Sequence, residues 1–144
     1  MFKTIKLLTS ALFLTALLSC HKKVVSNVDI TIFKATLMGA SETPPNPSTA
    51  TGTSTLTYNS STKTFTDVTS YSGLTPVAGH IHKGAVGEAG PVIFPFTDLT
   101  SPITLNSPML TDEQITALLN DSMYVNLHTQ AYPGGEIRGQ LIKQ

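Results

Sequence analysis

Three shortages in the chain narrow what it can be. It has one cysteine, so neither an internal disulfide framework nor a zinc site built on several thiolates is available to it, and any metal must rely on histidine or carboxylate. It has no tryptophan and only 12% charged residues, nine basic against nine acidic, which leaves no basic field for nucleic acid. Its apolar stretch from Leu7 to Leu18 would make about 18 Å of helix, well short of the ~30 Å core of a bilayer. What is abundant is threonine, with little helical periodicity outside one short stretch, and this is the composition of a β-protein. At 144 residues the chain has room for one domain and not two.

Lys3 and Lys6 followed by the apolar stretch have the anatomy of a secretory signal peptide, expected over residues 1–19. Its end, Leu17-Leu18-Ser19-Cys20, resembles the lipobox of bacterial lipoproteins, in which cleavage precedes the cysteine and its thiol receives a lipid. The resemblance implies a mature chain anchored to a membrane through Cys20, tethered by residues 20–27, with its domain in the periplasm or at the cell surface. Two or three acyl chains, at about 0.8 kcal/mol per buried methylene, hold a protein durably.

From residue 28 onward the pattern is mostly period two. Residues 28–38 read as a strand, and the prolines at 44, 45 and 47 force a loop. Thr51, Thr53, Thr55 and Thr57 alternate with Leu56 and Tyr58, and after a polar turn Phe65, Asp67 and Thr69 alternate with Thr66, Val68 and Ser70, which predicts a hairpin. Further strands are expected at 77–82, 91–96, 103–105, 123–129 and 136–142, the last two forming a hairpin closed by Tyr132-Pro133-Gly134-Gly135 with Gly134 at positive φ. The loop from Lys83 to Gly90, with three glycines, is expected to be mobile. One helix is expected at about 111–120, capped by Thr111 with Gln114 three residues on, its apolar stripe made by Ile115, Leu118 and Leu119. The fold class is all-β: an antiparallel sandwich or partly open barrel of about seven or eight strands with one short helix.

Tyr124 to Thr129 followed by Tyr132-Pro133-Gly134-Gly135-Glu136-Ile137-Arg138-Gly139-Gln140-Leu141 resembles the CHRD (chordin) domain family. Gly39-Ala40-Ser41-Glu42-Thr43-Pro44-Pro45, Tyr71-Ser72-Gly73-Leu74 and Ala78-Gly79-His80-Ile81-His82-Lys83-Gly84 agree with it in the family's order, covering about residues 30–144. The resemblance implies an all-β domain, placed here at 28–144, suited to the cell envelope. It marks Glu42, His80, His82, Asn126, His128, Glu136 and Arg138 as polar positions of interest.

Chemistry concentrates in the histidines. Residues two apart in a strand point the same way, about 6.6 Å apart, so His80 and His82 can converge on one ion while Ile81 faces the core. Asn126 and His128 share a face of their strand with Tyr124, and His128 can complete a three-histidine cluster suited to copper or zinc. The same imidazoles can instead hold loops through hydrogen bonds, and both readings stand open. The two-histidine strand is similar to part of the copper site of copper/zinc superoxide dismutases, but too few histidines remain for a bridged two-metal site. Glu136 and Arg138, with Glu42, are expected to form a charge-assisted pair locking the last strand to the proline loop, or else a rim where Arg138 meets a carboxylate or phosphate. No serine-nucleophile elbow or phosphate-binding loop is present. The sequence therefore favours a non-catalytic binding or structural module with an envelope protein or glycan as partner, the alternative being a copper- or zinc-binding protein.

Overall fold

In the computed structural model, which describes residues 29–144, the β-branched alternation read from the sequence becomes a sheet of nine strands. The expected leader, the expected lipidation site Cys20 and the expected tether lie outside the described residues. Strand β1 (Ile30–Met38) turns Phe33, Ala35 and Leu37 inward and Ile32, Lys34 and Thr36 outward. Strand β2 (Thr51–Asn59) keeps Thr51, Thr53 and Thr55 exposed and buries Ser54, Leu56 and Tyr58. Strand β3 (Thr64–Ser72) follows through a turn in which the Asn59 side chain accepts from the amides of Ser61 and Thr62. The expected hairpin is formed in register, with Leu56 opposite Asp67 and Tyr58 opposite Phe65.

The remaining strands are β4 (Ala78–Lys83), β5 (Val92–Pro95), β6 (Ile103–Asn106), β7 (Met123–His128), β8 (Ile137–Gln140) and β9 (Ile142–Lys143). Every pairing is antiparallel, in the order β5-β4-β7-β8-β1-β2-β3-β6, with the short β9 also on β1. The eight strands of that path curl into a half-barrel. Phe65 of β3 and Phe94 of β5, far apart in that order, meet edge to face with ring centroids 5.1 Å apart, so the concave side holds the core. Of the two architectures the sequence allowed, this is the partly open barrel. The expected hairpin of β7 and β8 is present, with Tyr124 opposite Gln140 and Leu127 opposite Ile137.

Helix α1 (Asp112–Leu119) begins at the expected capping box: the Thr111 hydroxyl accepts from the Gln114 amide and the Gln114 side chain accepts from the Thr111 amide. Asp112 and Glu113 in its first turn pair with Lys63 of the β2–β3 turn and Lys83 at the end of β4. Its buried side differs from the expected stripe. Leu118 and Ala117 are buried, Ile115 packs at the margin, and Leu119 is 41% exposed. Residues 117 and 119 lie about 100° to either side of Leu118, and the small Ala117 lets the backbone approach the sheet on its flank while Leu119 turns out.

Candidate metal centre

Strands β4 and β7 are neighbours, and their register sets Ala78 opposite His128, His80 opposite Asn126 and His82 opposite Tyr124. Ile81, Val125 and Leu127 point into the core and are fully buried. The alternate positions therefore carry His80, His82, Tyr124, Asn126 and His128 onto the convex face, where loops rather than a second sheet cover them.

The three expected histidines come together. One ring nitrogen from each can be chosen so that all lie within 4.8 Å of one another. Nδ1 of His80 stands 3.3 Å from Nε2 of His128. Three imidazoles arranged tetrahedrally about an ion at ~2.0–2.1 Å would hold their nitrogens about 3.3 Å apart. Nδ1 of His82 lies 2.9 Å from the Gly90 carbonyl and Nδ1 of His128 lies 3.0 Å from that of Pro133. A carbonyl only accepts, so each of these Nδ1 atoms carries the proton and donates, and each Nε2 presents a lone pair. Nε2 of His82 is buried and has no hydrogen-bond partner. Burial, then the neighbouring His128 and His82, lower the pKa of His80. Burial also lowers that of His82, with the Gly90 carbonyl opposing and His128 and Arg138 adding to it. Both shifts favour the neutral ring, the form in which imidazole ligates.

A stack supports His82. The Tyr124 ring lies parallel to it at 4.8 Å, and the Arg138 guanidinium carbon sits 3.5 Å from the centroid of the Tyr124 ring. The Tyr124 hydroxyl accepts from the Gly90 amide. Arg138 is 3% exposed and donates to the carbonyls of Glu88 and Ala85, to Thr43 and to Gln140. Gln140 in turn donates to the Gly84 and Asp121 carbonyls. The glycine loop expected to be mobile is therefore pinned at three of its carbonyls, and Arg138, for which an anion-binding rim is the alternative to a structural role, has its terminal nitrogens committed to the protein.

Glu42 reaches the site from the proline loop. Both its oxygens accept from Nδ2 of Asn126, at 3.1 and 3.0 Å, while Oδ1 of Asn126 is buried without a partner. Burial raises the Glu42 pKa to about 7 against the opposing pull of Asn126 and the Arg138 charge. Gly135 closes over this pair. A Cβ there would stand 2.7 Å from the Glu42 oxygens and from Nδ2 of Asn126, and it is Gly135, at φ +132°, that takes the positive φ expected of Gly134. The expected Glu–Arg ion pair is absent: the described residues hold two ion pairs, both on α1. Glu136 instead accepts from Ser48 and Thr129 hydroxyls. The last strand is locked to the proline loop as foreseen, but by neutral donors, because each side chain meets its own loop before it meets the other.

Sequence reasoning passed over Tyr124 and Gly135 as parts of the site, and also over Asp67. Asp67 is wholly buried on the concave face, where it accepts from Ser54 and Thr69 hydroxyls, and burial raises its pKa. The signal was its period-two alignment with Phe65 and Thr69.

The profile of the CHRD domain matches residues 33–141, and the chain belongs to the CHRD domain family. No curated protein and no solved structure matches the chain.

Proposed function

From membership of this family and the geometry of its three histidines, we propose that the protein is a non-catalytic module of the bacterial cell envelope that binds one copper or zinc ion through His80, His82 and His128. One observation carries the metal reading. Two of the three imidazoles spend Nδ1 on backbone carbonyls, each ring offers a nitrogen within 4.8 Å of the others, and Nε2 of His82 is buried with no partner at all. A His82 used only to hold a loop would spend both nitrogens, since an unmatched buried polar atom costs about 1–3 kcal/mol. Carbonyls bonded to the far nitrogens are also what fixes the tautomer of metal-ligating histidines elsewhere. Three imidazoles without thiolate suit Zn(II) and Cu(II) alike.

The lipobox-like Leu17-Leu18-Ser19-Cys20 supports an anchor through a lipid on Cys20, which would hold the domain against a membrane in the periplasm or at the cell surface. An envelope protein or glycan is the partner expected of such a module.

The purified domain should take up about one copper or zinc per chain and be stabilised by it, by about 2.7 kcal/mol at a hundredfold excess over Kd. His82→Ala should weaken uptake by orders of magnitude. Equal uptake by wild type and variant would make the cluster structural.

A further inference from the structure

We propose that this centre is an open one, whose fourth position takes a water-derived hydroxide exchangeable for small anions, with the carboxamide oxygen of Asn126 oriented to accept the proton of that ligand. The inference rests on the metal reading above and specifies what it binds besides protein. Four observations lead to it.

The first is the donor count. The cluster holds three histidines and no carboxylate or thiolate among the described residues, whereas closed structural sites take four protein donors. Access is the second. His82 is 8% exposed, but His80 and His128 are only partly buried, so the cluster is reached by solvent on their side.

Charge is the third. Three neutral imidazoles leave the full charge of a divalent ion in place, and the Arg138 guanidinium lies behind the Tyr124 ring that stacks on His82. Glu42, the carboxylate that reaches the site from the proline loop, is hydrogen-bonded by Asn126. An anion at the fourth position is what that field favours.

The fourth is Asn126. It is 4% exposed, stands directly opposite His80 and shares a face with His128. With Glu42 ionised, both its oxygens accept from Nδ2, which leaves Oδ1 of Asn126 as a buried acceptor with nothing to accept. A hydroxide or water supplies the missing proton; a third imidazole lone pair would not.

Cobalt(II), which takes zinc sites and reports its coordination in the visible spectrum, is the probe. Azide titrated into the cobalt-loaded full domain should shift the visible bands saturably, with one azide per metal. Azide offers no proton to Oδ1, so Asn126→Ala should bind azide about three- to tenfold more tightly than wild type, and equal azide affinity in the two would overturn the role given to Asn126. A wild-type spectrum unmoved by azide while cobalt stays bound overturns the open centre, and this arm needs no variant. Loss of cobalt in Asn126→Ala, with the fold intact by circular dichroism, would make Asn126 a ligand and overturn it too. Failure of wild type to bind cobalt, zinc or copper at all would instead sink the metal reading, and the inference with it.

Discussion

Glu42 is placed where ionisation is costly, and the sign of its effect on stability follows. Its pKa is raised from 4.5 to about 7, so the folded state binds the proton more tightly than the unfolded chain does. The stability this contributes is full below about pH 4.5 and is lost as pH rises toward 7. His80 and His82 act in the opposite sense, because their lowered pKa values make protonation unfavourable to the fold below about 6.5. The whole-protein pH profile mixes the two, and the difference between Glu42→Gln and wild type isolates one. That difference should move in favour of the variant between pH 5 and pH 8 in urea unfolding; an identical difference at both would contradict the burial account. Gly135 gives a sharper case. Gly135→Ala meets both a strained φ and the Glu42 carboxylate, and should cost about 2 kcal/mol or more, whereas Gly134→Ala has nothing within 4 Å and should cost less than about 0.5 kcal/mol. Thermal unfolding of the two variants side by side measures this. At this scale the sequence revealed the shared face of His80 and His82, because a period of two needs no knowledge of neighbours. It hid the partner of Glu42 and the positive φ of Gly135, because both depend on two loops meeting.

Elements were legible where their signals were local. The threonine rows of β2, the hairpin after it and the capping box of α1 each rest on residues within a few positions of one another. An eight-residue helix is too short to stand without its caps and its packing, so Thr111→Ala, which removes the hydroxyl that accepts from Gln114, should lower stability by about 1 kcal/mol, read from the midpoint of urea unfolding at unchanged slope. Two features of elements were not legible. The stripe on α1 depends on which flank approaches the sheet, which pattern alone does not specify. The glycine loop has the composition of a mobile segment, yet it is held by Arg138 and Gln140 from β8, 50 to 56 residues away in sequence.

At the scale of the molecule, alternation specifies that strands have an inner and an outer face but not whether two sheets stack or one sheet curls. The contact of Phe65 with Phe94 across the open side is a long-range fact that no local pattern carries. The curl matters to the proposed site, because it sends the apolar alternates of β4 and β7 inward and gathers the histidines on a loop-covered outer face. Attachment belongs to this scale as well. If Cys20 carries the lipid, Cys20→Ala should leave the membrane fraction for the soluble one or accumulate unprocessed, and unchanged fractionation and migration would refute the anchor. The central claim is that His80, His82 and His128 hold one ion. Anomalous diffraction from crystals grown with copper or zinc, recorded above and below the metal edge, tests it most directly. A single peak about 2.0 Å from Nε2 of His82, Nε2 of His128 and a ring nitrogen of His80 is the predicted result; well-ordered, unoccupied imidazoles at saturating metal, or a peak elsewhere on the domain, would contradict it.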